Sequence, residues 1–491
     1  MIQLAQMMST TGRRFAVVAL VLTLLRIASL VVGHPDLGPD EAQYWFWSKS
    51  LDIGYYSKPP LVAWSIAATT AVFGDEEWAV RLSAPLYQLG AAVFLFLLTR
   101  RLSGPREAFW AGLAWLTLPG VFLSSALITT DAPLIFFWSA ALYFFFRLTD
   151  ETPPATPHSF AAMFGLAIGL GFLAKYAMAY FLLGAGLALI MSPLRRVRFA
   201  PQYLGIALAV ALATIAPNIW WNAQNDFQTI SHTAANADWN GDFGHPDRLA
   251  KFLTDQFGVA GPIMLALMMA AALFGRRTAD ARSREAMRAL LAFALPAVVI
   301  VSAQAFVSRA HGNWAAVAYP SALVMATLFA FSRPRFILVA KLSVALHTIV
   351  GFGFLAAFAS MPIAESVGAS SAFRKLRGWE AQGREIARLS ADFDAIMTDD
   401  REVTGELVYY ARGGKPIVAW NSNLTIDSHF EAFHAFDPER DRRVLYVSTN
   451  GDALYIKNRF SRIERLGAVD ADIGRGRKRT LYYYGVEGYL H

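Results

Sequence analysis

The sequence contains no cysteine and little charge for its length. None of the 491 residues is Cys, which excludes disulfides, thiolate zinc sites and a cysteine nucleophile. Charged residues make up 16% of the chain, whereas a soluble protein of this size carries about a quarter. The chain also has no P-loop and no glycine-rich dinucleotide fingerprint. The sequence therefore gives no sign of nucleotide-driven chemistry, and its low charge is typical of a membrane protein.

Long hydrophobic runs recur from the N-terminus to about residue 360, and 55% of the chain is hydrophobic. A run of about 17 to 25 such residues can cross a hydrocarbon layer of about 30 Å. The first run is too long for the core of a signal peptide, so we expect it to be a retained span. The pattern predicts about eleven spanning helices, at residues 14–33, 82–99, 107–124, 133–149, 159–174, 177–193, 203–221, 258–275, 289–307, 315–331 and 337–359.

Charge alternates from one inter-span loop to the next. Residues 35–80 hold seven Asp or Glu against two Lys, and residues 222–257 hold five Asp against one Arg and one Lys. The positive-inside rule therefore predicts a membrane protein with a cytoplasmic N-terminus. The net charge of +7 is therefore explained by arginines in the cytoplasmic loops, and it does not indicate nucleic-acid binding. The arginines that define the cytoplasmic side are Arg13, Arg14, Arg100, Arg101, Arg106, Arg195, Arg196, Arg198, those in 276–288, Arg333 and Arg335.

The composition changes near residue 361, where charge rises and long apolar runs stop. We therefore divide the chain into a transmembrane domain, 1–360, and a small α/β domain, 361–491, which an odd number of spans places on the outer side of the membrane. Helical spacing runs from Trp379 to Met397, and Glu402 to Tyr410 is typical of a crossover helix. Short buried strands are predicted at Ala395–Thr398, Pro416–Trp420 and Val444–Ser448. The expected fold class is mostly α and polytopic.

The first outer loop, residues 34–81, carries two candidate groups. Asp40 and Glu41 follow the first span directly, where a catalytic carboxylate on an interfacial helix is one interpretation. A solvated helix N-terminus that favours acids is the alternative. Lys58 precedes Pro59 and Pro60, and it suits either a turn with a snorkelling lysine or a counter-charge for a lipid phosphate.

Two further charges stand at span boundaries on the same side. Asp131 lies in the short second outer loop, where a charge is expensive and therefore a functional candidate. Its alternative is an ordinary helix cap before Pro133. Lys175 separates two hydrophobic runs, and a snorkelling lysine is the competing interpretation.

The remaining candidates are polar residues at the outer ends of spans. Arg81 opens the second predicted span against the positive-inside trend. Arg309, His311 and Asn313 form a polar loop beside Trp314. Interfacial anchoring by the tryptophan, with the other three solvated, is the alternative for that loop.

The order and sidedness of these motifs resemble the GT-C glycosyltransferases. The motifs are Asp-Glu-x-x-Tyr (Asp40, Glu41 and Tyr44), Lys58-Pro-Pro, Asp131-Ala-Pro, Leu-Ala-Lys175 and His311-Gly-Asn-Trp-Ala. Residues 14–180 are most similar to the lipid A aminoarabinose transferases and rhizobial uronosyltransferases, and more distantly to protein O-mannosyltransferases. The resemblance implies a polyprenyl-phosphate-linked sugar donor in the membrane and an envelope acceptor, either lipid A, the lipopolysaccharide core or another glycan. It also implies a location in a bacterial inner membrane, with residues 361–491 in the periplasm.

By this resemblance, Asp40 is the catalytic base that takes the acceptor's proton. Asp131 is a second carboxylate that orients acceptor or sugar, and Lys58 pairs with the donor phosphate. Lys175 and Arg81 are electrostatic helpers, since fixed cations stabilise a leaving lipid phosphate. The other residues implied in substrate binding are Glu41, Tyr44, Arg309, His311 and Asn313.

One departure from the family concerns metal binding. The aminoarabinose transferases carry a metal-binding Glu directly before the Lys-Pro turn, where this chain has Ser57. A divalent metal is therefore not predicted as obligatory. Protein O-glycosylation is the alternative function within the enzyme class. A polytopic lipid or glycan transporter is less favoured, because the charges lie at span ends and no matching halves are found, and a membrane scaffold would not need them.

Overall fold

The computed structural model describes residues 9–235, 244–278, 280–423 and 425–490. The chain divides into two compact units. The first, here the helical unit, comprises the residues up to Ala28, Lys58–Val62 and Arg81–Leu355. The second, here the sheet unit, comprises Ser29–Ser57, Ala63–Val80 and the chain from Ala356 onward. The first outer loop is thus shared between them, and a domain boundary at residue 360 stays a prediction.

The chain is helical up to residue 389 and mixed thereafter. The helices before the sheet are α1 (Thr10–Gly33), α2 (Pro39–Ser48), α3 (Leu61–Phe73), α4 (Glu77–Arg81), α5 (Ser83–Leu102), α6 (Pro105–Thr117), α7 (Pro119–Ala126), α8 (Asp131–Leu148), α9 (Pro157–Ala174), α10 (Ala179–Met191), α11 (Pro193–Arg198), α12 (Pro201–Gln224), α13 (Gln228–Ala235), α14 (Pro246–Ala260), α15 (Pro262–Phe274), α16 (Ala281–Val307), α17 (Tyr319–Phe331), α18 (Pro334–Ala359), α19 (Met361–Ser366) and α20 (Trp379–Leu389). Short 3₁₀ turns occupy Tyr176–Met178, Gly312–Ala318 and Ser370–Leu376.

The described residues include eight helices that are long and apolar enough to cross a membrane, or up to ten if each of two bent pairs is one span. The chain is therefore a multi-span membrane protein, as predicted. The exact number of eleven is not confirmed. The sixth predicted span, 177–193, corresponds to a shorter apolar helix, Tyr176–Met191.

Both bent pairs break at a proline. Helices α6 and α7 meet at 57° before Pro119, and α14 and α15 meet at 108° before Pro262. Proline has no N–H for the helix ladder and disfavours α geometry in the residue before it. Gly261 has φ +73°, and a Cβ at this position would collide with the buried His347. The predicted spans 107–124 and 258–275 are therefore bent and not straight.

Aromatic side chains fill the interior of the helical unit. Phe181 lies 4.8 Å from Phe293 and 5.0 Å from Trp138, between ring centroids. Phe145 lies 5.0 Å from Phe293. Such tilted and edge-on pairs add to the stabilisation from buried area. They hold α8, α10 and α16 together around one core.

The C-terminal part of the sheet unit forms a five-stranded sheet. Its strands are β1 (Ala395–Thr398), β2 (Ile417–Ala419), β3 (Arg443–Ser448), β4 (Phe460–Asp472) and β5 (Lys478–Tyr489), with α21 (Arg401–Tyr410) and α22 (His429–Phe433) between them. The order is β2-β1-β3-β5-β4. The first three strands are parallel and the last two form an antiparallel hairpin that pairs with β3.

The three predicted strands and the crossover helix are confirmed to within two residues. The predicted helical segment from Trp379 was too long, because the helix ends at Leu389 and residues 395–398 form strand β1. The sequence reasoning missed the β4–β5 hairpin. Strand β4 lies at the edge of the sheet and is mostly exposed, so it lacks the apolar run by which a buried strand is recognised.

Candidate active site

Asp40 lies in the first turn of α2, and a local capping box holds this turn. The helix has Gly38 as N-cap and Pro39 as its first residue. The Glu41 carboxylate accepts a hydrogen bond from the Gly38 N–H at 3.0 Å. Asp40 is therefore not the capping residue, and its side chain is 61% exposed. An exposed carboxylate on a rigid helical turn is accessible to a substrate.

The predicted substrate-binding residues Glu41 and Tyr44 are both buried in the sheet unit. Glu41 closes the capping box, as described. Tyr44 packs against Trp47 with ring centroids 5.4 Å apart. Both residues therefore support α2, and direct substrate binding by them stays a prediction.

Arg401, the first residue of α21, contacts the Asp40 carboxylate. Its Nη1 donates to Asp40 Oδ1 at 3.0 Å and to Gln43 Oε1 at 2.8 Å. Burial alone would lower the pKa of Arg401, but the Asp40 charge and its hydrogen bond outweigh burial and raise it. The sequence reasoning missed Arg401, because its partner lies 361 positions away and no local pattern joins them.

Asp131 is held by two residues from distant parts of the helical unit. Lys175 Nζ donates to Asp131 Oδ1 at 2.7 Å, and Asn313 Nδ2 donates to Oδ2 at 2.6 Å. The Asp131 and Lys175 side chains are 11% and 25% exposed. Three of the predicted residues are therefore brought together, and both oxygens of the carboxylate are engaged.

The local backbone explains how these three residues meet. Asp131 is the first residue of α8, and the N-cap is Thr130, so the capping interpretation of Asp131 was wrong. Lys175 has an extended backbone, with φ −163° and ψ 136°, between α9 and a 3₁₀ turn. Asn313 lies in the 3₁₀ turn that follows His311. Each of these two donors thus lies at a break in helical structure.

A polar chain adjoins this cluster at Tyr176. Its hydroxyl donates to Asn218 Oδ1 at 2.8 Å and accepts from Asn222 Nδ2 at 3.0 Å. Asn218 and Asn222 are 3% and 1% exposed. Buried amides are costly unless they are hydrogen-bonded, so this chain fixes Tyr176 and with it the backbone next to Lys175.

The remaining predicted residues lie elsewhere in the helical unit. Lys58 is half-buried ahead of the buried Pro59 and Pro60. Arg81 ends α4 and is 1% exposed. Arg309 and His311 are exposed. The His311 ring packs edge-on against Trp314, with ring centroids 5.4 Å apart.

Potential metal ligands are sparse in the described part of the chain. It contains no group of three or more His, Asp or Glu side chains placed to hold a metal ion. Ser57, before the Lys-Pro turn, is half-buried. The described residues therefore offer no ready-made ligand set of that kind.

Comparison with known proteins identifies relatives over most of the chain and over parts of it. The chain is 33% identical over 431 residues to the lipid A galacturonosyltransferase RgtD of Rhizobium johnstonii, a match that covers 87% of this chain and 89% of that protein. It is 30% identical over 155 residues to an undecaprenyl phosphate-alpha-4-amino-4-deoxy-L-arabinose arabinosyl transferase of Aeromonas salmonicida, covering 29% and 28%. The dolichyl-phosphate-mannose-protein mannosyltransferase family pattern matches residues 57–221.

A solved structure has the same fold. The crystal structure of ArnT from Cupriavidus metallidurans bound to undecaprenyl phosphate superposes with a TM-score of 0.69 and 16% identity, covering 97% of this chain and 98% of that one. The similarity in sequence extends over most of the chain, and the similarity in fold over nearly all of it. The chain therefore belongs to the GT-C glycosyltransferase family that includes the lipid A galacturonosyltransferases and the aminoarabinose transferases.

Proposed function

We propose that this membrane glycosyltransferase transfers a uronic acid residue from a polyprenyl-phosphate donor to lipid A or a related lipopolysaccharide acceptor. The single observation that carries the proposal is the match to a lipid A galacturonosyltransferase over 87% of the chain. The match to the aminoarabinose transferase of Aeromonas salmonicida covers 29%. The long match therefore favours a uronic acid over an aminopentose as the donor sugar.

The two carboxylates differ in a way that assigns them different roles. Asp40 is exposed and engaged on one oxygen by Arg401, so it is suited to accept a proton from an acceptor hydroxyl. Asp131 is buried, and both of its oxygens accept hydrogen bonds. A carboxylate held in this way is suited to orient a substrate and has little capacity to move a proton.

The proposed reaction is an in-line displacement at the anomeric carbon. The acceptor hydroxyl oxygen forms the new bond, its proton passes to Asp40, and the bond between the anomeric carbon and the phosphate oxygen breaks. The lipid phosphate leaves with the electron pair, and the configuration at the anomeric carbon inverts. Lys58 pairs with the phosphate, and fixed cations such as Arg81 stabilise the charge that develops on it.

The reaction is proposed to take place on the periplasmic face. Support comes from the alternation of arginine-rich and acidic loops, which places the N-terminus in the cytoplasm. The loop that carries Asp40 belongs to the acidic set. Residues 361–491 are then periplasmic as well.

The catalytic role of Asp40 is tested by Asp40→Asn in purified protein with a polyprenyl-phosphate sugar and lipid A. A general base contributes about 10²- to 10⁴-fold to the rate, so kcat should fall by that range while the melting midpoint stays unchanged. Glu41→Gln, at the neighbouring carboxylate, should have a milder effect, because glutamine also closes a capping box. Full activity in Asp40→Asn would show that another residue acts as the base.

The choice of sugar and acceptor is tested separately in cells. Mass spectrometry of lipid A and core glycans from a deletion strain should show the loss of one uronic acid residue. Loss of an aminopentose would instead show that the donor sugar is that of the aminoarabinose transferases. Unchanged lipid A and core, with a glycan missing from a protein, would favour the protein O-glycosylation alternative.

A further inference from the structure

The Asp40 carboxylate accepts a hydrogen bond from Arg401, which lies 361 positions later in the sequence. We propose that Arg401 is a positioning residue, which fixes the rotamer of Asp40 so that one carboxylate oxygen faces the acceptor. The inference rests on the proposed role of Asp40 as the base. This role would give the C-terminal sheet a function in catalysis, because the sheet supports the helix that begins with this arginine.

The geometry of the guanidinium supports positioning. Arg401 Nη1 bridges Asp40 Oδ1 and Gln43 Oε1, at 3.0 and 2.8 Å. Gln43 is 2% exposed, so it is a fixed point on the same face of α2, one turn from Asp40. Among the described residues, the hydrogen bonds to the Asp40 side chain end on Oδ1. Oδ2 is therefore left for the acceptor hydroxyl.

Arg401 itself stands on a rigid turn after the central parallel strand. Asp399 follows β1 directly, and its Oδ2 accepts hydrogen bonds from Tyr446 at 2.6 Å and Ser448 at 3.1 Å. Asp400 is the N-cap of α21 and accepts from the Val403 N–H at 2.9 Å. Side chains on β3 and the helix cap thus fix the backbone on the N-terminal side of Arg401.

Close packing of α21 on α2 sets the distance between the arginine and the carboxylate. A Cβ at Gly405 would lie 3.0 Å from the Pro39 carbonyl oxygen, closer than ordinary van der Waals contact. The Tyr410 hydroxyl accepts a hydrogen bond from the Leu37 N–H at 2.6 Å. These two contacts hold the start of α2 against α21, so Arg401 meets Asp40 at a fixed separation.

The first test compares Arg401→Ala with Lys375→Gln in the full-length enzyme. Lys375 forms an exposed ion pair with Glu402 beside Arg401, so its variant controls for loss of a surface charge. Misorientation of a catalytic group lowers kcat by about 10- to 100-fold, and the KM for donor should change by less than about twofold. Lys375→Gln should match the parent. Wild-type kcat in Arg401→Ala would overturn the inference.

Chemical rescue separates positioning from a purely structural role. Added guanidinium should restore part of the activity of Arg401→Ala, because the small cation can occupy the vacated site beside Asp40. Arg401→Lys should be intermediate, since the lysine ammonium keeps the charge, but its shorter side chain does not bring a donor to the position of Nη1 between Asp40 and Gln43. A lowered melting midpoint with no rescue by guanidinium would show that Arg401 only holds two helices together.

The double variant distinguishes this inference from the proposed function. If Arg401 acts through Asp40, Arg401→Ala should slow the Asp40→Asn enzyme no further, whereas independent losses would multiply. Multiplied losses would overturn the inference. An active Asp40→Asn enzyme would instead refute the role of Asp40. If Asp40→Asn is inactive and Arg401→Ala is fully active, the proposed role of Arg401 is refuted and the proposed role of Asp40 stands.

Discussion

The ion pair between Lys175 and Asp131 gives the sharpest prediction of stability. In Lys175→Met the ammonium is lost, while a long unbranched side chain fills the same space. Asp131, 11% exposed at its side chain, then keeps the hydrogen bond from Asn313 and loses the cation at 2.7 Å. A charge that stays buried without its counter-ion destabilises the fold more than the absence of the pair does.

The magnitude follows from the burial of the two groups. Breaking a fully buried pair from one side costs about 3–5 kcal/mol, and an exposed pair contributes about 0–1 kcal/mol. Lys175 is 25% exposed, so we expect Lys175→Met to lower the free energy of unfolding by about 2–3 kcal/mol, between these limits. Asp131→Asn in the Lys175→Met background removes the stranded charge and should recover about half of the loss.

The assay is equilibrium unfolding of the four variants of this double-mutant cycle in mixed micelles. A coupling free energy of at least about 1 kcal/mol between positions 131 and 175 is expected. Lys251→Met is the matched control, because Lys251 pairs with Asp255 and its side chain is 75% exposed; it should change stability by less than about 0.5 kcal/mol. Additive effects at 131 and 175, or a loss no larger than that of the control, would refute the reasoning.

Three further predictions concern pH, donor binding and topology. Burial raises the pKa of Asp36 from 3.8 to about 6, so its contribution to stability is full below pH 3.8 and is lost as the pH rises through about 6. The melting midpoint should therefore fall with rising pH in this window, and Asp36→Asn should make that fall less steep. An unchanged slope in Asp36→Asn would contradict the assignment. Lys58→Ala should raise the KM for the polyprenyl-phosphate donor by about 10-fold or more through loss of a charge-assisted contact, and wild-type donor affinity would refute the phosphate role. A periplasm-dependent reporter fused at the C-terminus should be active, and activity of a cytoplasmic reporter there instead would overturn the predicted sidedness.

The sequence predicted those parts of the fold that leave a periodic or continuous apolar signal. The spans at 133–149 and 159–174 match α8 and α9 closely, because a membrane requires a minimum apolar length. Strand β1 is buried along its whole length and reads as a short apolar run. The breaks at Pro119 and Pro262 were not predicted, although the prolines are visible, because a proline in a membrane helix also occurs without a large bend.

The sequence predicted a residue of the candidate site only where that residue stands out from its neighbours in the sequence. Asp131 and Lys175 stand out because each is a charge at the end of an apolar run, and the structure joins them. Arg401 sits in an ordinary polar segment, where an arginine needs no explanation. Its significance depends on the packing of α21 against α2, and that pairing is set by tertiary structure, which a single sequence does not show.

The contrast between the two carboxylates follows from where each lies relative to its helix. Both are in the first turn of a helix and neither is its cap. Asp131 is then closed off by Lys175 and Asn313, which occupy both oxygens. Asp40 is bound on one oxygen and open on its other side. The same residue type in the first turn of a helix is thus engaged on both oxygens in one unit and on one oxygen in the other, and the difference lies in the number of donors around each carboxylate.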